Sequence, residues 1–218
     1  GAKAALTMQV LEEAKHFVVL RELMYAFNVE VPRQSAYEYV LLEQVYKAKG
    51  LEKLFGMNVL VEGIALSLFG MLAELPGLEV LRLFHLDESR HTALPVNYFA
   101  EFPMSEREKT SPLRRWNRLR LVLPSLPLVF FLEKPLAVLG IDAFAFGGSV
   151  IRKVAMLSQR AGFLLPVSGD ELGSNINQLF NAYAKATRPD HRFVDYHLAD
   201  TSRGDAIKAV EAEVFAAA

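Results

Sequence analysis

The stretch FHLDESRHTALP, residues 84–95, sets Glu88 and His91 three positions apart in a segment that otherwise reads as an apolar helical stripe, with His85 and Asp87 beside them. On a helix that interval places both side chains on one side about a turn apart, so they can converge on one point. Burying ionisable groups is costly without a compensating partner, and a metal ion is one such partner. A second copy stands upstream in LEEAKHF, residues 11–17, where Glu13 and His16 share the spacing. Between the copies, MNVLVEGIALSLFG, residues 57–70, carries a single carboxylate, Glu62, in a nearly continuous apolar run. Three helices thus direct acids or imidazoles toward a common interior.

The rest of the 218-residue chain fits one large domain with a substantial core. With 24 basic and 25 acidic residues the formal charge is −1, so nucleic acid is not an expected partner. The absence of Cys excludes disulfides, thiolate zinc sites and cysteine-ligated clusters; any metal must sit on His and carboxylate. Helical periodicity recurs throughout without alternating β-branched runs, which predicts an all-α fold with helices near 4–28, 34–48, 51–74, 77–101, 105–121, 128–139, 141–161, 170–187 and 203–217. Ser35, Ser105 and Ser168 are expected N-caps, and VEVPRQS (29–35) and ELPGLE (74–79) are expected breaks. Residues 119–148 are the most apolar part, but Pro124, Pro127, Glu133, Lys134, Pro135 and Asp142 interrupt them. They predict a kinked, buried helical pair, with an oligomer or membrane-surface contact as the alternative, and no transmembrane segment. No secretory leader precedes the first helix, so a cytoplasmic location is expected, and the Gly-Ala start without Met fits a fragment.

The order Glu13-x-x-His16, Glu62, Glu88-x-x-His91 resembles the ferritin-like di-iron carboxylate superfamily from its second bundle helix onward. The flanks EEAKH and DESRH look like the forms of its oxygenase- and desaturase-type members. The resemblance covers residues 1–101 and implies metal-binding bundle helices there, with residues 102–218 a helical C-terminal extension packed on them. It implies two Fe ions, with an Fe/Mn pair as the variant. By resemblance Glu13 and Glu88 bridge or bind the metals, His16 and His91 bind one each, and Glu62 is a terminal carboxylate. Asp87 would orient His16 and Glu12 would orient His91 through their other ring nitrogens. His85 resembles the extra His of aromatic-amine N-oxygenases, at a spacing of three rather than four, and is read as an added ligand or an orienting residue. The family pattern starts with an acid on a preceding helix, and residues 1–11 contain none. The sixth ligand therefore comes from a missing helix or from Asp142 or Glu171.

The resemblance implies a non-haem oxidoreductase, an O2-dependent oxidase or oxygenase acting on a small or lipid-like substrate. An electron-donor protein and a second copy in a homodimer are its expected partners. Gly63 and Ala65 would leave room beside Glu62 for dioxygen or a substrate edge, and the apolar extension would wall a chamber. The alternatives are a fatty-acyl desaturase docking its acidic carrier on RRWNRLR (114–120), a ribonucleotide-reductase-like radical subunit, and a non-catalytic helical interaction module. On the plainer reading the Glu-x-x-His pairs are surface charge, although Leu11, Phe17 and Leu20 and then Leu83, Phe84 and Leu94 leave little solvated face. Glu62 would then hydrogen-bond Asn58, RRWNRLR would be a solvated face, and Tyr98 would be a core residue. His191 and His197 carry no assigned role. Pro95 lacks the N–H that would bond the His91 carbonyl, so a kink is expected there.

Overall fold

The structure, a computed structural model, describes residues 1–30, 33 and 35–216, and among these every regular element is helical. The fold is an all-α bundle. Helix α1 (Ala2–Ala26) lies along α5 (Leu81–Glu101), and α2 (Ala36–Lys47) packs on α8 (Ser125–Val138). The helix begun by α3 (Gly50–Leu54) continues through a π-helical segment, Phe55–Val61, into α4 (Glu62–Leu72), which packs along α5. α6 (Glu106–Thr110) and α7 (Pro112–Val122) lead into α8. Beyond it, α9 (Ala143–Arg160) runs through the interior, and α10 (Gly169–Thr187), a 3-10 turn at Tyr196–Leu198 and α11 (Asp205–Phe215) close around it.

Local sequence sets these ends. Ser35 and Ser105 form capping boxes with Glu38 and Glu108, and Ser168 accepts from the Glu171 N–H. The helix expected over 105–121 divides at Ser111-Pro112, where proline starts a new helix instead of continuing the old one. Of the expected break at 29–35, residues 31, 32 and 34 lie outside the described residues.

One core spans both halves of the chain. Phe55, Val59 and Leu60 pack in the same cluster as Phe144, Val154, Leu157 and Phe180. Gly148 allows the closest approach in it: a Cβ there would stand 2.2 Å from the Tyr196 carbonyl oxygen.

Of the segment 119–148, the second part is buried as its composition suggests, with Ile141, Ala143, Phe144 and Phe146 in the core, but most of α8 is half-buried or exposed. Residues Pro112–Val138 form a helical run long and apolar enough to cross a membrane, and only 28% of its most apolar window is buried; Phe131 and Val138 are exposed. The equally apolar Gly50–Leu72 is mostly buried and serves as a core helix. The basic cluster is not a solvated face either. Arg118 is fully buried and donates to the Glu108 and Leu164 carbonyls, Arg115 donates to Leu165 and Pro166, and Arg114 pairs with Glu52.

Gly148→Ala forces backbone against backbone where no side chain can yield, so we expect a loss of about 3 kcal/mol. Urea unfolding monitored by circular dichroism measures it, and Gly1→Ala, with open space around it, serves as the neutral comparison.

Candidate metal centre

α1 presents Gln9, Glu13 and His16 at i, i+4 and i+7, one helical face, toward α5. α5 answers with Glu88 and His91, and α4 begins with Glu62. Glu62, Glu88, His16 and His91 are all buried, whereas the Glu13 side chain is 44% exposed. Glu13, Glu62, Glu88 and His91 can each offer a ligand atom within 4.8 Å of the others, a group that could hold a metal ion.

His16 joins through shared carboxylates. Its Nδ1 lies 3.6 Å from Glu13 and 3.3 Å from Glu88, while His91 Nδ1 lies 3.1 Å from Glu13, 3.2 Å from Glu88 and 3.9 Å from Glu62. Glu13 and Glu88 therefore each face both imidazoles. Most of these contacts lack hydrogen-bond alignment: His16 Nδ1 and Glu13 Oε1 are buried without a hydrogen-bond partner. Ligand atoms about 2.1 Å from a shared ion stand roughly 3 Å apart and point at the ion, not at each other. Orphaned donors and acceptors at this spacing fit such a site.

The outer ring nitrogens are anchored. His16 Nε2 meets Asp87 at 3.1 Å and His91 Nε2 meets Glu12 at 2.9 Å. Arg90 bridges Glu12 and Asp87 from outside. Each outer contact fixes its ring so that Nδ1 faces inward.

Glu62 is held by a residue that sequence reasoning missed. Gln9 donates from Nε2 to Glu62 Oε1 at 2.6 Å. Asn58 does not reach Glu62; its Nδ2 donates to Gln9 Oε1 at 2.9 Å and to the His91 carbonyl at 3.1 Å. That carbonyl is the one left free by Pro95, so the helix-breaking residue creates the acceptor that positions Asn58. The signal for Gln9 was its place on the Glu13–His16 face, four residues before Glu13.

Several expected residues lie elsewhere. His85 is fully buried but turns its Nε2 to Glu211 of α11, 3.2 Å away, within a network that includes Lys153 and Ser202. It sits off the Glu88–His91 stripe because its three-residue step turns it to the opposite flank. Asp142 caps α9 and pairs with Arg188, and Glu171 is exposed on the first turn of α10, so neither supplies a sixth ligand. The His16 side instead carries Phe84, 4.1 Å between ring centroids, and Phe69. The space beside Gly63 is taken by Val154, 3.2 Å from a would-be Cβ. Tyr98 is 38% exposed against Phe99 and Phe102, not a core residue. Leu11, Phe17 and Leu83 are exposed.

Burial opposes charge on His16, yet Glu13, Glu88 and Asp87 outweigh it and push the imidazole up to about 10. For His91 the same contest, with Glu13, Glu62, Glu88 and Glu12 facing it, ends at about 12. Burial drives the Glu62 carboxyl upward, relieved in part by His91 and reinforced by Glu88. Burial would raise Glu88 too, but the two imidazoles and Glu62 hold it below the usual carboxylate range.

Comparison with protein-family models, with curated proteins and with solved structures finds no match to this chain.

The shifts on Glu62, His16 and His91 have one sign. Each group holds its proton in the metal-free fold at pH values where the unfolded chain has released it, so stability falls as pH rises. The Glu62 contribution declines above pH 4.5, that of His16 from pH 6.5 toward about 10 and that of His91 from pH 6.5 toward about 12. Thermal melts of chelator-treated protein should therefore fall from pH 6 to 9, and Glu62→Gln should flatten the slope. A rising or flat wild-type profile would contradict the assignment.

Proposed function

We propose that the chain is a ferritin-like, non-haem di-iron oxidoreductase that activates dioxygen to oxidise a small or lipid-like organic substrate. The observation that carries this reading is the placement of Glu13 and Glu88, each facing both His16 Nδ1 and His91 Nδ1. Two carboxylates shared between two imidazoles is the arrangement that holds two ions side by side. Imidazole and carboxylate donors without thiolate suit iron or manganese. When bound, two ferrous ions supply the two electrons that dioxygen takes up together.

The chain's own residues have separate tasks. Glu13 and Glu88, each facing both imidazoles, would be shared by the two ions, and Glu62, which faces His91, would serve that side. Asp87 and Glu12 keep the imidazoles oriented, and Gln9 restrains Glu62 through Oε1 while leaving Oε2 toward His91. Because burial raises Glu62, this carboxyl can hold a proton at Oε2 near neutral pH and release it when a cation arrives. Phe69 and Phe84 keep the His16 side dry. No further carboxylate among the described residues faces His16 Nδ1 as Glu62 faces His91, so that side would hold an ion more weakly.

Anaerobic titration with ferrous iron should show two ions per chain of unequal affinity. Rapid mixing of the loaded protein with dioxygen should give an oxygen-dependent absorption transient that Glu88→Ala abolishes. Stoichiometric zinc with no oxygen reactivity, or an unchanged transient in Glu88→Ala, would overturn the proposal.

A further inference from the structure

A second site lies on the other side of α9 from Glu62. α9 turns Val154 and Leu157 toward Gly63 of the helix that carries Glu62, and its adjoining positions Arg152, Ala155, Met156 and Gln159 line a half-open cavity of about 500 Å³ bordered by α7, α10 and the 3-10 turn. None of the metal-centre residues lines it. The volume falls in the range of small-molecule pockets. Its walls are mostly apolar, with Phe163 and Leu165 buried at the back and Met156 and Leu198 at the rim.

Two arginines break this apolar lining. Arg115 donates from Nε to the Leu165 carbonyl at 2.7 Å and from Nη2 to Pro166 at 3.1 Å, which fixes its guanidinium without neutralising it. Arg152 donates from Nη1 to the His197 carbonyl at 3.4 Å. Among the described residues neither has a carboxylate within 4.0 Å, whereas Arg82, Arg90, Arg114 and Arg188 all do. Asp170 is the one acid in the lining, and it is solvent-exposed. Two anchored positive charges in a low-dielectric recess strengthen the attraction for an anion, and the apolar wall selects one with a hydrocarbon body.

We propose that this cavity binds an amphipathic organic anion, a carboxylate on an aliphatic chain, with the head against Arg152 and Arg115 and the chain against Met156, Leu164 and Leu198. The site is separate from the metal centre and does not depend on its chemistry.

The test uses decanoate well below its micelle-forming concentration, titrated calorimetrically into the whole protein. The expected result is saturable binding at one site per chain, weakened at least tenfold by Arg152→Glu. Met156→Trp, which fills the rim without changing charge, should weaken it comparably, and circular dichroism verifies that both variants fold. Decanol, which lacks the charge, and inorganic phosphate, which lacks the chain, should each bind at least tenfold more weakly than decanoate. Decanoate binding that neither variant weakens places the ligand on another apolar surface and overturns the proposal. So does decanol or phosphate binding as tightly as decanoate, or no saturable decanoate binding at all.

Discussion

The buried carboxylate of Glu88, held between His16 and His91, is the interaction on which the site depends. It is almost wholly inaccessible, so its charge needs opposing charge within a few ångströms. Two imidazoles provide it, one from α1 and one from its own helix, which ties α1 to α5 through electrostatics in a region where much of α1's apolar surface faces outward. Those imidazoles in turn need Asp87 and Glu12 outside them, and Arg90 balances that outer pair. Removing the central charge would leave the half-exposed Glu13 as the one carboxylate facing both imidazoles, and removing either imidazole would leave the buried Glu88 with a single partner.

Residue spacing was enough to expose the convergent set, because a three-residue interval on a helix is a geometric statement in itself. Glu13, His16, Glu62, Glu88 and His91 lie together, and the caps at Ser35, Ser105 and Ser168 follow from local hydrogen bonding that needs no tertiary information. What stayed hidden depended on distant partners. Nothing near His85 in the chain announces Glu211, 126 residues later. Gln9 looked neutral until a buried acid stood beside it. Apolar composition held for 141–148 but misled for α8, since hydrophobicity reports a preference for leaving water and says nothing about which neighbour provides the cover.

A second buried ionic network stands behind α5, as the candidate-site residues stand in front of it. Burial would raise the Glu211 carboxyl, but His85, Lys153 and Ser202 together hold it low, at about 2. Lys153 comes from α9 and Glu211 from α11, so three helices meet at one carboxylate. α5 is therefore held on two faces, by the carboxylate–imidazole cluster in front and by the His85–Glu211 hydrogen bond behind.

Pro95 has a consequence that reaches beyond the bend in α5. The His91 carbonyl can only accept, so the Asn58 atom facing it must be the amide nitrogen. The Gln9 atom sharing that nitrogen must then be oxygen, which turns the Gln9 amino group toward Glu62. The chain of amides has one permitted polarity, and a ring that lacks a hydrogen dictates it. Glu62 Oε1 is thereby reserved as an acceptor, and the oxygen left for a proton or a cation is the one that faces His91. A backbone defect in the neighbouring helix thus makes two chemically identical carboxylate oxygens inequivalent.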